Sequence, residues 1–252
     1  MRVTFLGTGT SHGVPVIGCD CPVCRSPLPE NKRLRSSIWL NFAGRNVVID
    51  TGPEFRLQAL RYGLRRLDAV LFSHAHADHI FGFDDIRRFC QMQGEAISVY
   101  ASPETLKTLR CAFGYIFDLD RNDWTIPRAV PHVLDGPFSL FGQDIKPLTV
   151  YHGKTAVTGF RIGGFAYVTD CNMIPDQAMA ALQNLEVLVL GALRYKPHHT
   201  HFSIGEAIRV IETLQPKYAY LTHLCHEVDH AELIASLPAG IQPAYDGLVV
   251  DL

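Results

Sequence analysis

The sequence contains no apolar run long enough to cross a membrane, since no stretch approaches the roughly twenty uninterrupted apolar residues that a spanning helix needs. The first residues, Met1–Gly7, also lack the apolar segment of a signal peptide. These absences predict a cytoplasmic protein with no membrane partner. An excess of positive charge is missing too, because 23 Lys and Arg residues face 25 Asp and Glu, a formal net charge of -2. A stable nucleic-acid partner is therefore not expected.

No Ser/Gly-rich linker or internal repeat divides the chain. Of its 252 residues 47% are hydrophobic and 19% are charged, which is ordinary globular usage and excludes a disordered or fibrous protein. We predict a single domain over residues 1–252. Within it, a segment at about residues 16–35 is rich in Cys, Pro and charge and shows little periodicity. This segment is interpreted as a loop insertion.

Short β-rich runs recur along the chain, and helical patterns appear between the later runs. The predicted strands are Val3–Leu6, Ser37–Phe42, Asn46–Ile49, Ala69–Phe72, Ile97–Tyr100, Asp144–Val150, Phe165–Val168, Glu186–Leu190, Tyr218–Leu221 and Leu248–Val250. The predicted helices are Pro53–Tyr62, Pro103–Phe113, Pro175–Asn184, Ser203–Thr213 and Asp229–Ser236. Ala43-Gly44-Arg45 indicates a tight hairpin in an antiparallel first part, and Ser203 with Glu206 indicates a capping box. This mixture predicts an α/β fold with two sheets, or with one large sheet covered by helices.

Three of the seven cysteines, Cys19, Cys21 and Cys24, lie within six residues of one another. In a reducing compartment this spacing favours metal binding over disulfide formation. Three thiolates in a Pro-containing loop predict a knuckle that binds one structural Zn²⁺ ion. A tetrahedral site needs a fourth ligand, which must come from elsewhere in the chain.

Histidine is unusually frequent, with twelve residues that fall largely into short clusters. The strongest cluster is the motif S-H-A-H-A-D-H at residues 73–79, directly after an apolar run. His74 and His76 share one side of an extended segment, while Asp78 and His79 follow in the next turn. The spacing therefore predicts two neighbouring metal sites, for which further ligands must come from other segments.

This motif, with Val48-Ile49-Asp50-Thr51-Gly52 upstream, resembles the signature of the metallo-β-lactamase superfamily of hydrolases. The opening Gly7–Pro15 and the following Gly18–Cys24 are similar, more narrowly, to the phosphodiesterases of the carbon–phosphorus lyase pathway, which open a phosphoribosyl cyclic phosphate. The similarity extends to Ala244–Gly247 and so covers essentially the whole chain. It implies an αββα sandwich of two mixed sheets flanked by helices, and a place in phosphonate metabolism.

The resemblance also implies a ligand set for two catalytic ions. The implied ligands come from separate segments: His74, His76 and His152 for one ion, Asp78, His79 and His223 for the other, and Asp170 as the bridge. The ions would be divalent, Mn²⁺ or Zn²⁺, since nitrogen and oxygen ligands accept either. Asp50 is not a ligand in the superfamily pattern, and we interpret it as a hydrogen-bond acceptor that orients a ligating imidazole.

Two catalytic residues follow from the same resemblance. His201, in the loop Pro197–Ser203, would act as the general acid that protonates the leaving oxygen. Asp78 would orient the attacking water in addition to binding metal. His198 and His199 are candidate substrate contacts, although an exposed polar loop explains them as well.

The fourth ligand of the structural zinc would, by resemblance, be His226. Its neighbour Cys225 is also a good zinc ligand, so the choice between them stays open. Beside the cysteines, Lys32, Arg33 and Arg35 form a short basic run that could contact a distal phosphate of the substrate. A solvated loop face is the favoured interpretation of this run.

The function predicted from these features is hydrolysis of small cyclic or nucleotide-like phosphodiesters by a hydroxide that two metal ions activate. Three alternatives stay open: ribonuclease Z-like processing of tRNA precursors, ester or lactone hydrolysis at the same site, and a metal-binding scaffold without activity. The chain shows no long basic arm, and its net charge of -2 argues against a large RNA footprint. The expected partner is a small phosphodiester. The sequence leaves the oligomeric state open, with a homodimer as the commonest case.

Overall fold

Fourteen strands and eight helices form the described part of the chain, residues 1–119 and 125–252 of a computed structural model. The strands are β1 (Arg2–Gly7), β2 (Ser37–Phe42), β3 (Arg45–Ile49), β4 (Ala69–Leu71), β5 (Ile97–Ala101), β6 (Ala129–Val133), β7 (Phe138–Leu140), β8 (Gln143–His152), β9 (Thr155–Ile162), β10 (Phe165–Val168), β11 (Val187–Gly191), β12 (Tyr218–Thr222), β13 (Ile241–Pro243) and β14 (Val249–Asp251). The helices are α1 (Pro22–Arg25), α2 (Phe55–Tyr62), α3 (Ala77–Ile80), α4 (Arg87–Gln93), α5 (Pro103–Phe113), α6 (Asp176–Ala181), α7 (Ile204–Leu214) and α8 (His230–Ser236).

The first sheet has seven strands in the order β14-β1-β2-β3-β4-β5-β6. Its first strands are antiparallel, and β3 to β6 are parallel. The two-residue turn between β2 and β3 is formed by Ala43 and Gly44, whose φ angles are 50° and 71°. Two positive φ angles match the twist of a hairpin, so the predicted turn and the antiparallel start are confirmed.

The second sheet also has seven strands, in the order β13-β12-β11-β10-β9-β8-β7. Strands β7 to β10 are antiparallel, and β10 to β13 are parallel. One apolar cluster, which includes Phe5, Ile49, Phe160 and Val189, fills the space between the two sheets. Two further clusters pack helices on the outer faces, α2, α4 and α5 on the first sheet and α6, α7 and α8 on the second. The predicted αββα sandwich of two mixed sheets is confirmed.

The predicted capping box is present at the start of α7. Ser203 Oγ accepts from Glu206 N, and Glu206 Oε2 accepts from Ser203 N at 2.8 Å. Strands β6, β7, β9 and β13 were not predicted, since β7 and β13 have only three residues and β9 is interrupted by Gly159. Pairing with a neighbouring strand, rather than their own sequence, fixes these segments. No helix in the described residues is long and apolar enough to cross a membrane.

In the basic run of Lys32, Arg33 and Arg35, the middle residue is not solvated. Arg33 is only 1% exposed, and its guanidinium donates to Cys225 O at 2.9 Å, Val228 O at 2.8 Å and Asn31 Oδ1 at 3.1 Å. Lys32 Nζ donates to Cys24 O at 3.0 Å. The interpretation of a solvated run is therefore wrong for Arg33, which joins the loop of residues 16–35 to the segment after β12.

Gly52, just after β3, and Gly82, just after α3, let these two segments touch. A Cβ atom on Gly82 would lie 2.0 Å from Gly52 O and 2.8 Å from Phe55 Cβ, while Gly82 N donates to Thr51 O at 2.9 Å. This close approach fixes α3 against the end of β3. Since α3 carries Asp78 and His79, the contact sets where those side chains lie.

We expect Gly82→Ala to destabilise the protein by about 1–3 kcal/mol or more, because the new methyl group collides with backbone. The control is Gly114→Ala, where the added Cβ meets nothing within 4 Å, and which should change the free energy of unfolding by less than about 1 kcal/mol. Urea unfolding of both variants measures the difference. Equal stability of the two would contradict the packing described for Gly82.

Candidate metal centre and active site

The candidate site lies where strands of both sheets end. Asp50 directly follows β3 and His223 directly follows β12, while one residue separates Asp170 from the end of β10. All three adopt left-handed backbone conformations, with φ of 65°, 40° and 61°. Such conformations cost about 1–2 kcal/mol in non-glycine residues and cluster at functional sites. The backbone is thus bent at the points where it delivers these side chains.

Three imidazoles of the predicted first metal site face one another. His74 Nε2 lies 2.9 Å from His76 Nδ1. The ring centroid of His152, at the end of β8, lies 5.1 Å from that of His76 and 6.1 Å from that of His74. The structure therefore brings together a motif on the loop before α3 and a residue nearly eighty positions later.

The predicted second group is also assembled. One ligand atom from each of Asp78, His79, Asp170 and His223 lies within 4.8 Å of the others. His79 Nε2 is 3.2 Å from Asp78 Oδ2 and 3.4 Å from Asp170 Oδ2, and His223 Nδ1 is 3.1 Å from Asp170 Oδ1. Asp170 thus contacts both imidazoles of this group.

Asp170 also belongs to a further group, in which one ligand atom from each of His152, Asp170 and His201 lies within 4.8 Å of the others. A carboxylate has two oxygens, so one side chain can face two clusters at once. Asp170 therefore lies between His152 and His223 and is within reach of both groups. The structure also places His201 close enough to count as a candidate ligand.

The donor set fits divalent cations. His79 Nε2 is buried, has no hydrogen-bond partner among the described residues, and faces two carboxylates. Burial lowers the pKa of His79, but Asp170 and Asp50 outweigh it and raise that pKa well above its usual value. Burial lowers the pKa of His74, which keeps this imidazole neutral. Neutral imidazoles and ionised carboxylates are the ligand forms that zinc and manganese bind, so a cation held here would displace the proton from His79.

Asp50 organises one side of this cluster. Its Oδ1 accepts from Ser73 N at 2.8 Å, and its Oδ2 accepts from Ser73 Oγ at 2.6 Å and from His79 Nδ1 at 2.8 Å. Ser73 Oγ in turn lies 3.0 Å from His74 Nδ1. These contacts orient two imidazoles so that their Nε2 atoms face the cluster, which supports the orienting role predicted for Asp50.

Residues not predicted from the sequence position the other ligands. His152 Nδ1 donates to Thr200 O at 2.8 Å. Ser36 Oγ donates to Gly9 O at 3.0 Å and lies 3.2 Å from His223 Nδ1. Ser and Thr are common in loops and carry no ligand spacing, so no sequence signal marks them.

The loop before α7 places His201 over the site. Its ring stacks on His223 with centroids 4.9 Å apart and meets the edge of His152 at 4.4 Å. His198 lies 5.3 Å from His201, whereas His199 is exposed and contacts His198. Burial and the neighbouring His223 lower the pKa of His201 to about 3. His198 therefore adjoins the site more closely than His199.

The cysteine knuckle forms a second candidate site. His226 Nδ1 lies 3.3 Å from Cys19 Sγ, 3.5 Å from Cys21 Sγ and 3.7 Å from Cys24 Sγ. The backbone N–H of Cys24 lowers the pKa of Cys21 to about 6, while burial raises that of Cys24 to about 11. Adjacent thiolates repel one another, so a bound cation would stabilise the deprotonated set.

Cys225 does not join this knuckle. Its side chain packs in the apolar cluster of the second sheet, and its Sγ accepts from Glu227 N at 3.3 Å. Between the two neighbours that the sequence could not separate, the structure brings only His226 to the three cysteines.

The fold and the ligand geometry together define a metal-dependent hydrolase site of the metallo-β-lactamase type. A family model for the beta-lactamase superfamily domain matches residues 45–224, and the chain belongs to this superfamily. Within it, the chain is similar to a structure described as a new diphosphatase from the PhnP family. The two share 42% identity and a TM-score of 0.93, over 100% of this chain and 97% of that one. The resemblance found in the sequence is confirmed.

Two curated relatives are about twice as long as the part of them that this chain matches. An octanoyltransferase of Porphyromonas gingivalis is 37% identical over 252 residues, which is 98% of this chain and 51% of that protein. A ribonuclease Z of Gemmatimonas aurantiaca is 28% identical over 167 residues, 64% of this chain and 47% of that protein. The chain thus spans about half the length of the curated relatives it matches.

We expect His226→Ala to lose one metal equivalent per chain and to lower the melting temperature, because the knuckle keeps only three ligands. Cys225→Ala is the matched control and should retain full metal content. Inductively coupled plasma mass spectrometry and thermal melting measure both. Loss of zinc from Cys225→Ala with retention in His226→Ala would reverse the assignment.

Proposed function

We propose that this chain hydrolyses small cyclic or nucleotide-like phosphodiesters, of the phosphoribosyl cyclic phosphate type, with two divalent ions. One observation carries the proposal: Asp170 faces both ligand groups at the point over which His201 lies. A dinuclear site beneath an imidazole suits displacement at phosphorus, where an attacking and a leaving oxygen must be stabilised together. The similarity to a structure described as a diphosphatase supports phosphorus as the reacting centre.

The ligands fall into two groups joined by one carboxylate: His74, His76 and His152, then Asp78, His79 and His223, with Asp170 between them. Bound Mn²⁺ or Zn²⁺ would withdraw charge from the phosphate oxygens and lower the pKa of a water. A third ion, Zn²⁺, would occupy the knuckle of Cys19, Cys21, Cys24 and His226 and have a structural role.

The chain's own residues do the positioning and the proton transfer. Asp50 holds His79 and, through Ser73, His74, so the ligands are oriented before substrate binds. Asp78 orients the attacking water. His201 is neutral in the free site, but an anionic phosphodiester beside the ring favours its protonated form. The ring then delivers the proton to the departing oxygen.

Other activities are weaker fits. The name octanoyltransferase belongs to a relative about twice as long, of which this chain matches 51%. Ribonuclease Z activity requires a large RNA surface, which a net charge of -2 does not favour. Ester or lactone hydrolysis and a non-catalytic scaffold are outcomes of the tests below.

The first test pairs metal content with hydrolysis of bis(p-nitrophenyl) phosphate and 2′,3′-cyclic AMP after chelation and after reconstitution with Zn²⁺ or Mn²⁺. We expect about three ions per chain and hydrolysis that disappears with chelator and returns with metal. About one ion and no phosphodiester hydrolysis under any reconstitution would overturn the proposal. Cleavage confined to a tRNA precursor, or to p-nitrophenyl acetate, would assign the site to one of the alternatives.

The second test removes the proposed acid. His201→Ala should keep its metal and lose about 10²–10⁴-fold in kcat on 2′,3′-cyclic AMP, whose leaving alkoxide needs a proton. Hydrolysis of bis(p-nitrophenyl) phosphate should change little, since nitrophenolate leaves unprotonated. Loss of a metal ion from this variant would instead make His201 a ligand. An equal fold-loss of kcat on both substrates would exclude His201 as the acid.

A further inference from the structure

Asn172 bridges two segments that the proposed mechanism brings together. It lies two residues after Asp170 and is half-buried. Its side-chain Oδ1 accepts from Gly153 N at 2.8 Å, and its Nδ2 donates to His199 O at 3.2 Å. Its backbone N donates to Tyr151 O at 2.9 Å. One side chain thus links the turn after His152 to the loop of His201.

The same two segments touch at one more pair of residues. His152 Nδ1 donates to Thr200 O at 2.8 Å, and Thr200 Cγ2 lies 3.0 Å from where a Cβ of Gly153 would stand. Gly153 has a φ of 62°, so glycine at this turn allows the loop to approach. The His201 loop is therefore held against the β8–β9 turn along residues 199 and 200.

The end of this loop is fixed separately. Phe202 N donates to Cys171 O at 2.8 Å, and Leu193 N donates to Phe202 O at 2.9 Å. These backbone bonds stay in place whatever side chain stands at position 172. The Asn172 amide therefore acts on the middle of the loop, next to His201, and not on its end.

We infer that Asn172 is a positioning residue, which holds the His201 ring where it delivers its proton. The inference rests on the proposed function of His201. An amide suits this place because it accepts from one backbone N–H and donates to one backbone C=O. A carboxylate of the same shape still accepts from Gly153 N, but it cannot donate to His199 O and repels that oxygen.

The experiment compares Asn172→Asp and Asn172→Ala with His201→Ala and the double variant Asn172→Asp/His201→Ala. On 2′,3′-cyclic AMP, each Asn172 variant should lose about 10–100-fold in kcat, the size of effect that misplacement by about 1 Å produces. On bis(p-nitrophenyl) phosphate the loss should be less than about two-fold. The double variant should be no slower than His201→Ala alone, because Asn172 acts through His201.

Asn184→Asp is the matched control, since Asn184 is exposed at a turn after α6. It should leave both rates, the metal content and the melting temperature unchanged. Hydrogen–deuterium exchange gives a readout without turnover: residues 194–203 should exchange faster in both Asn172 variants than in the parent or in Asn184→Asp, with and without metal.

The failures are distinguishable. If His201→Ala slows both substrates equally, the proposed acid is wrong and this inference falls with it. If His201→Ala is selective for 2′,3′-cyclic AMP but Asn172→Asp is not, the inference alone is overturned. Additive losses in the double variant, or unchanged exchange in residues 194–203, overturn it as well.

Discussion

The structure depends on one electrostatic constraint, which is the burial of carboxylates around His79. Asp50, Asp78 and Asp170 all approach this fully buried imidazole, at 2.8, 3.2 and 3.4 Å. Buried anions of this density are strongly unfavourable unless positive charge offsets them. A proton on His79 supplies some of that charge in the free protein, and a divalent cation supplies more. The cluster therefore favours the binding of a cation.

This constraint explains why strained backbone is tolerated at the site. The left-handed conformations of Asp50, Asp170 and His223 are unfavourable by themselves, and they occur where each strand has just left the sheet. The surrounding sheets hold them, since the strands that carry them are paired on both sides and are buried where they lead into the site. The sandwich therefore stores strain at its edge to aim a few polar side chains.

The two candidate metal sites are mechanically linked. His223 belongs to the catalytic group and His226 to the knuckle, three residues apart in one segment after β12. Arg33 fastens this segment to the knuckle loop through Cys225 O and Val228 O, and Leu224 N donates to Thr8 O. Disturbing the knuckle would shift the segment that carries His223. The position of the knuckle thus makes it a support of the candidate metal cluster.

The residues by themselves determined an α/β fold, most of the strands and the capping box at Ser203. These depend on local signals: apolar runs bounded by turns, and a cap residue three positions from Glu206. The αββα sandwich and the catalytic-metal ligands outside residues 73–79 came from the resemblance to the superfamily. Strands β6, β7 and β13 were missed because they are edge strands that pairing rather than composition fixes, and β9, inside the second sheet, is interrupted by Gly159. Only the tertiary structure showed that His226, and not Cys225, contacts the three cysteines, and that Arg33 is buried. It also showed that Ser36, Thr200 and Asn172 contact the site or its loop. Their contacts join segments far apart in the chain, and such contacts leave no periodic or spacing signal in either segment.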